Sequence, residues 1–303
     1  MSPAALLQDY LQRFAVELTA HSEKAAQQWA KLSSRTEQAL LRILDGSTEP
    51  ASPQEAARIL AELRKVLGGA STVALRLADT DALSVMRLGY GSQADYFAKA
   101  YGARDALSVR AGRIAQTFRR YDGLLQDGAI LRGPYWQIER GRWAREFEDR
   151  AREVTGRVQR DLTKAIGTTG ETTPRDIAAS VRPLIEGSTG RMDAETWARS
   201  FARTNQQQLY GDFAEQLAID AGIDKFINVG VPDDRQSQEC YEASQQPPMT
   251  MAEWDGWTAS NGKGGRPGSR HVFNCRCIGG AVPPGLEDDD WAQPNPKYEE
   301  VAV

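Results

Sequence analysis

All three cysteines and one of the two histidines of this 303-residue chain fall in its last third, at Cys240, His271, Cys275 and Cys277. Three thiolates and one imidazole form a complete tetrahedral ligand set for a structural Zn²⁺. Such a metal would hold together a Gly- and Pro-containing stretch that has little apolar core of its own. The single residue between Cys275 and Cys277 is tighter than the usual C-x2-4-C knuckle, and Cys240 lies far upstream. Buried thiols that pack as small hydrophobes are the other reading, and a disulfide is disfavoured in a reducing cytoplasm. A Cys/His pair is also the raw material of a thiol nucleophile and its base. His271 with Asn274 supplies part of a metal-dependent nuclease set, but no second metal-binding histidine lies nearby. The sequence carries no Walker loop, Rossmann glycine fingerprint, G-x-S-x-G elbow or H-E-x-x-H helix, which removes the common cofactor and hydrolase classes.

The elements that must position these residues are mostly helices. Leu6, Leu7, Tyr10, Leu11, Phe14 and Leu18 mark one apolar stripe that runs on through Trp29 to Leu44, where Gly46-Ser47 and Pro50 interrupt it. Ser52-Pro53-x-Glu55 reads as a helix start, with Ser52 as cap and Glu55 placed to return a bond to it. Leu60, Leu63 and Leu67 follow until Gly68-Gly69, where that helix is expected to end. Pro134 opens a helix in which Trp136, Trp143, Phe147, Val154 and Val158 form one seam, expected to meet a helix of the same chain. Thr173-Pro174-Arg175-Asp176 repeats the cap pattern, and Pro183 should kink or shorten the helix it begins. Asp193 caps a further helix over about Ala194–Ala221, stopped by Gly222. Lys225-Phe226-Ile227-Asn228-Val229 then reads as a short strand. The expected fold class is α+β, predominantly α-helical: a helical N-terminal region over 1–165, a small α+β domain over 170–282 and an acidic, poorly packed tail over 283–303.

The composition, 41% hydrophobic and 26% charged, is that of a soluble globular protein, and no apolar run approaches the roughly 20 residues of a membrane-spanning helix. Met1-Ser2-Pro3-Ala4-Ala5-Leu6-Leu7 lacks a basic leader and meets Gln8-Asp9 before a signal-peptide core can form, so the expected compartment is the cytoplasm. The net charge of −4 is unevenly spread: residues 1–200 hold 29 Lys+Arg against 25 Asp+Glu, and residues 201–303 hold 8 against 16. The Arg-rich stretch 104–164 is therefore the candidate phosphate-facing surface, with Arg113, Arg119 and Arg120 as its candidate DNA contacts. Within the same stretch Glu139, Glu146, Glu148 and Asp149 interleave with Arg140, Arg142 and Arg145 at i,i+3 and i,i+4. That pattern favours a solvated, internally paired helix face.

Three ordered blocks carry a family resemblance. Trp197-Ala198-Arg199-Ser200-Phe201-Ala202-Arg203-Thr204-Asn205 resembles the helix of phage head morphogenesis domains. It is followed by Val231-Pro232-Asp233-Asp234-Arg235, and then by Arg270-His271-Val272-Phe273-Asn274-Cys275-Arg276-Cys277, which is similar to the family's closing Pro-His-x-Asn-Cys-Arg-Cys signature. The chain thus resembles the Mu F-like minor head proteins of tailed bacteriophages over about 170–280. The resemblance implies a virion component near the portal, acting in head assembly, DNA packaging or DNA ejection. Its implied partners are portal, capsid or scaffold proteins and, nonspecifically, phage DNA, with no membrane and no enzymatic turnover. It also marks Arg203, Thr204, Asp234, Arg235, Asn274 and Arg276 as signature residues of structural role. The family fold is distantly related to ADP-ribosyltransferases, so an ADP-ribosyltransferase-like or nuclease effector is the alternative. Many members have Glu where Asn205 stands, which removes an acid that such a transferase would use.

Overall fold

A computed structural model describes residues 3–47, 51–102, 108–167, 172–187, 191–230, 236–261, 278–288, 290–293 and 295–299. Long helices dominate: α1 (Pro3–Asp45), α2 (Pro53–Gly102), α3 (Ser108–Gln126), α4 (Pro134–Gly167), α5 (Pro174–Ile185) and α6 (Ala194–Ala221). After them come β1 (Lys225–Val229), α7 (Gln238–Ser244), β2 (Met249–Thr250), α8 (Met251–Asn261), β3 (Ile278–Ala281) and α9 (Pro296–Glu299). The fold is α+β and predominantly α-helical, as the periodicity predicts. No described helix is long and apolar enough to cross a membrane.

The chain divides into two compact units, each discontinuous in sequence. One gathers Met1–Glu23, Asp81–Arg132 and Arg203–Val303, and the other gathers Lys24–Thr80 and Gly133–Ala202. Each therefore takes chain from both sides of the 165–170 boundary that composition suggests.

The second unit is helix on helix. Leu40, Leu41 and Leu44 of α1, Ala56, Ile59 and Leu63 of α2, Val154, Val158, Leu162 and Ala165 of α4, and Ile177, Ala178 and Val181 of α5 form one buried cluster. These positions recur at three- and four-residue steps, so each helix turns one apolar stripe inward. The α4 seam continues as an aromatic stack: Trp136 meets Trp143 edge to face at 5.4 Å, and Phe147 reaches Trp29 at 6.0 Å. The ends are capped as the sequence predicts. Thr173 and Asp176 exchange bonds in a reciprocal capping box, and Asp193 accepts from the backbone of Glu195 and Thr196, both at 2.9 Å. At α2 the Ser52 hydroxyl accepts from Glu55 N at 3.2 Å. The Glu55 carboxylate turns instead to Arg58 and Ser47, which hold its pKa down to about 2.

One boundary differs from expectation. α2 does not end at Gly68-Gly69 but continues to Gly102. A glycine in a helix costs only about 1 kcal/mol against alanine, and Ala70, Ala74 and Ala78 bury the following turns of the same face. Pro183 sits inside the last turn of α5, which ends at Ile185.

In the first unit a three-stranded antiparallel sheet of order β2-β1-β3 carries the central strand between its partners. Lys225 pairs with Thr250 on one side, and Phe226 through Val229 pair with Ala281 through Ile278 on the other. Both faces of β1 are buried, because Phe226, Ile227 and Val229 are apolar regardless of alternation. Trp254 of α8 donates its indole N–H to Phe226 O at 3.0 Å. Gly222 ends α6 at φ +83, a conformation that favours glycine, and the following Ile223 N–H reaches back to Ala218 O at 2.9 Å.

The segment 283–299 is acidic but not loose, which corrects the sequence expectation. Leu286, Trp291, Gln293 and Asn295 are all buried, Trp291 Nε1 donates to Leu286 O at 2.8 Å, and the Gln8 side chain donates to Trp291 O. Composition averages over the run of aspartates and hides the few residues between them that pack.

Candidate functional site

The first signature block occupies α6. Trp197 stacks on Phe201 at 4.8 Å within the second unit. Arg203, 13% exposed, forms an ion pair with Glu23 in the first unit. Beyond it Thr204, Asn205, Gln206 and Gln207 are each buried to at least 94%. At 100° per residue four consecutive positions sweep most of the helix circumference, so here α6 is enclosed on all sides while presenting only polar side chains. One turn on, Tyr210 is fully buried, packs on Phe14 at 4.8 Å and accepts a bond from Gln93 Nε2 at 3.0 Å. Burial pushes its phenol pKa up.

The second and third blocks contribute Asp234, Arg235, His271, Asn274, Cys275, Arg276 and Cys277, all outside the described residues. What the structure does show is how the chain on either side of 231–235 is fixed. Gln293 Nε2 donates to Asn228 O at 2.8 Å, and Gln293 Oε1 accepts from Gly230 N at 3.1 Å. On the other side Gln236 Oε1 accepts from the Asn295 amide, and Gln236 O accepts from Lys297 Nζ at 2.8 Å and Tyr298 OH at 2.6 Å. Residues 293–298 thus strap down both flanks of the Asp-Asp-Arg segment. Cys240 lies nearby on α7, 4% exposed, its N–H capped by Ser237 Oγ at 3.2 Å and its neighbour Tyr241 stacked on Tyr298 at 4.5 Å. Among the described residues no group of three or more His, Cys, Asp or Glu side chains is arranged to hold a metal. The zinc set requires His271, Cys275 and Cys277 in addition to Cys240.

Of the candidate DNA contacts, Arg113, Arg119 and Arg120 are all exposed on α3. Two of them are tied to the end of α6: Arg113 Nε donates to Asp220 O at 3.3 Å, and Arg120 pairs with the Asp220 carboxylate. Asp220 also accepts from Tyr121 OH at 3.0 Å and Gln216 Nε2 at 2.8 Å. Burial pushes Asp220 up, but the bonds from Gln216, Tyr121 and Arg120 outweigh it and leave its pKa below the usual carboxylate value. Burial, then the bond to Asp220, raises Tyr121 to about 12. Arg119 bonds only back to its own helix, at Ala115 O, 3.3 Å away. On α4 Arg142 pairs with Glu139 and Glu146 as expected, but Arg140 turns to Asp79 of α2 at 2.8 Å, and Glu148 and Asp149 pair with Arg152.

Three features of the fold belong to none of the sequence motifs. Glu37 and Arg150 fall on apolar stripes, between Ser33 and Leu40 and between Phe147 and Val154, and a charge at such a position signals a buried partner. Glu37 Oε1 indeed lies 3.0 Å from both Arg150 Nε and Arg191 Nη2. Asp220 stands in the last turn of α6, where the helix dipole disfavours an acid, so it too announced external cations. Gln293 and Asn295 carry no periodic signal and were not legible. In comparisons with known proteins, no family model, curated protein or solved structure matches the chain.

Proposed function

We propose that the chain is a minor head protein of a tailed bacteriophage, held inside the capsid near the portal and acting in head assembly, DNA packaging or DNA ejection. The observation that carries this reading is the order of three sequence blocks, 197–205, 231–235 and 270–277, within one α+β segment. Two physical features support it. Arg203 of the first block is engaged by Glu23 rather than presented to solvent, as a structural signature residue should be. The residues flanking the second block, Asn228, Gly230 and Gln236, are fastened by the C-terminal segment, in keeping with a structural rather than a catalytic role for this part of the chain.

Its partners on this reading are portal, capsid or scaffold proteins, met by the outer faces of the long helices, with nonspecific DNA contact through the basic stretch of α3. The role needs no cofactor and no turnover, and Asn205 offers an amide where a transferase of related fold would need an acid. Mass spectrometry of purified virions and procapsids tests the proposal. Presence in both supports a resident head component, and presence in procapsids alone supports an assembly factor that leaves. Absence from both overturns it.

A further inference from the structure

We infer that the middle of α6, Thr204–Gln207, is a built-in release point, a segment enclosed by the first unit yet held so poorly by its polar contacts that the unit opens along it first. Gln206 is completely buried, and neither its amide oxygen nor its amide nitrogen has a hydrogen-bond partner. The same lack of a partner holds for Thr204 Oγ1 and Gln207 Nε2 on this helix, and for Gln93 Oε1 on α2 in the same unit. Buried polar groups are nearly always paired, and each unpaired one carries its full desolvation penalty. A concentration on two helices of one unit is therefore a local deficit in stability.

The surplus is also chemically balanced. Gln206 and Gln93 present unused carbonyl oxygens, Gln206 and Gln207 present unused amide N–H groups, and the Thr204 hydroxyl can serve either way. These groups could bond to one another or to water in an opened arrangement, whereas the closed packing leaves them mismatched. Opening recovers hydrogen bonds there, so it costs less than opening an apolar seam of equal burial.

α4 supplies the comparison inside the same protein. Its Val154, Val158 and Leu162 are at most 1% exposed and face an apolar cluster. Both segments are equally buried, and polar mismatch distinguishes the α6 stretch from residues 154–162. The inference concerns the first unit by itself and stands whatever the role of the whole chain.

Native-state amide exchange on the purified full-length protein tests it. Amides of 205–210 should exchange at least about ten-fold faster than those of 154–162, through sub-global opening. Gln206→Met keeps an unbranched side chain of similar size without the unpaired amide. It should slow exchange across α6 about ten-fold and raise the melting temperature, and Gln207→Met should act in the same direction. Equal protection of α4 and α6 in the unaltered protein overturns the inference. So does a Gln206→Met variant that is unchanged, or that melts lower and exchanges faster, because the amide must then be well bonded in the closed state.

Discussion

Gln293 donates its side-chain amide to the backbone carbonyl of Asn228 at 2.8 Å and with its other side-chain atom accepts from Gly230 N, so one glutamine completes the exit of β1. A residue beyond the acidic run thereby substitutes for a further strand at that point. Gln293→Ala removes one hydrogen bond from each of two buried backbone groups, Asn228 O and Gly230 N, at a cost of about 2–4 kcal/mol for the two together. Gln293→Glu preserves the acceptor for Gly230 but sets a carboxylate oxygen against Asn228 O, and it should be no better tolerated. Thermal melting of the three proteins checks this. An Ala variant that melts with the parent would show that the strap is decorative.

Asp220 and Tyr121 set a pH window for the contact between α3 and α6. The Asp220 pKa is lowered in the fold, so its stabilisation is present above the unfolded value of about 3.9 and lost as pH falls through the folded one. Tyr121 is raised to about 12. Its contribution is present below the unfolded value of about 10 and is lost as pH climbs through the folded value. Asp220→Asn should therefore destabilise by about 1 kcal/mol near neutrality, a modest figure because Arg120 is 56% exposed. The difference should shrink below about pH 4. A gap that persists undiminished in strong acid would place the effect outside this ion pair.

The three arginines of α3 should separate by role. Arg119→Ala leaves the contact with Asp220 intact, so it should weaken nonspecific DNA binding and flatten the salt dependence by about one unit of slope, without changing the melting temperature. Arg120→Ala should lower the melting temperature as well. The assignment of this face to DNA fails if the salt slope is the same for Arg119→Ala and the parent.

Helices α1, α4, α5 and α6 were legible because each pairs an apolar stripe with a chemical start or stop, whereas α3, α7 and α8 were not read from the sequence. Thr173/Asp176, Asp193 and Gly222 mark ends that the structure places where the sequence does. Strand β1 was legible from Phe226, Ile227 and Val229, the three β-forming residues among its five. Its partner β3 was not, because Ile278-Gly279-Gly280-Ala281 has little strand propensity. Glycine is present at 280 for a tertiary reason: a β-carbon there would lie 2.6 Å from Leu11 Cδ1, a residue far away in sequence. The strap was hidden for the same cause, since glutamine and asparagine acquire their roles only from the polar groups that the fold brings near. Gly68-Gly69 misled in the opposite direction, a local breaker signal overridden by packing of the alanines that follow.

Cys240 is the one member of the cysteine and histidine set within the described residues, at 4% exposure. Cys240→Ser places a hydroxyl at that position and should destabilise the protein by about 1–3 kcal/mol with or without a metal. A chelator then discriminates. Stoichiometric zinc whose removal lowers the melting point identifies Cys240, His271, Cys275 and Cys277 as ligands, whereas indifference to chelation identifies buried thiols. A Cys240→Ser protein that melts normally and holds no zinc would deny the block a structural role.

The Glu37 carboxylate is 3% exposed and serves two guanidiniums, Arg150 and Arg191, themselves 5% and 7% exposed. Arg150 also donates to Ser33 Oγ at 2.9 Å and Met192 O at 3.1 Å and lies over the Trp197 ring at 5.1 Å. Arg191 reaches Leu184 O and Arg150 O, at 2.9 and 2.8 Å. The group thus fixes the connection between α5 and α6 onto α1 and α4 in the second unit. Burial dominates the Arg150 pKa and lowers it, which reports the desolvation that Glu37 must offset. Removing Glu37 alone strands the buried Arg150 cation and leaves Arg191 with only the half-exposed Glu153 carboxylate, so Glu37→Leu should cost about 3–5 kcal/mol. Removing a cation with it relieves much of that penalty, and Glu37→Leu/Arg150→Met should be more stable than Glu37→Leu even though it has lost more hydrogen bonds. Urea midpoints of the single and double variants measure the coupling directly. If the double variant is weaker than Glu37→Leu by the cost of Arg150→Met alone, the two residues act independently, and the triad is not what holds this turn.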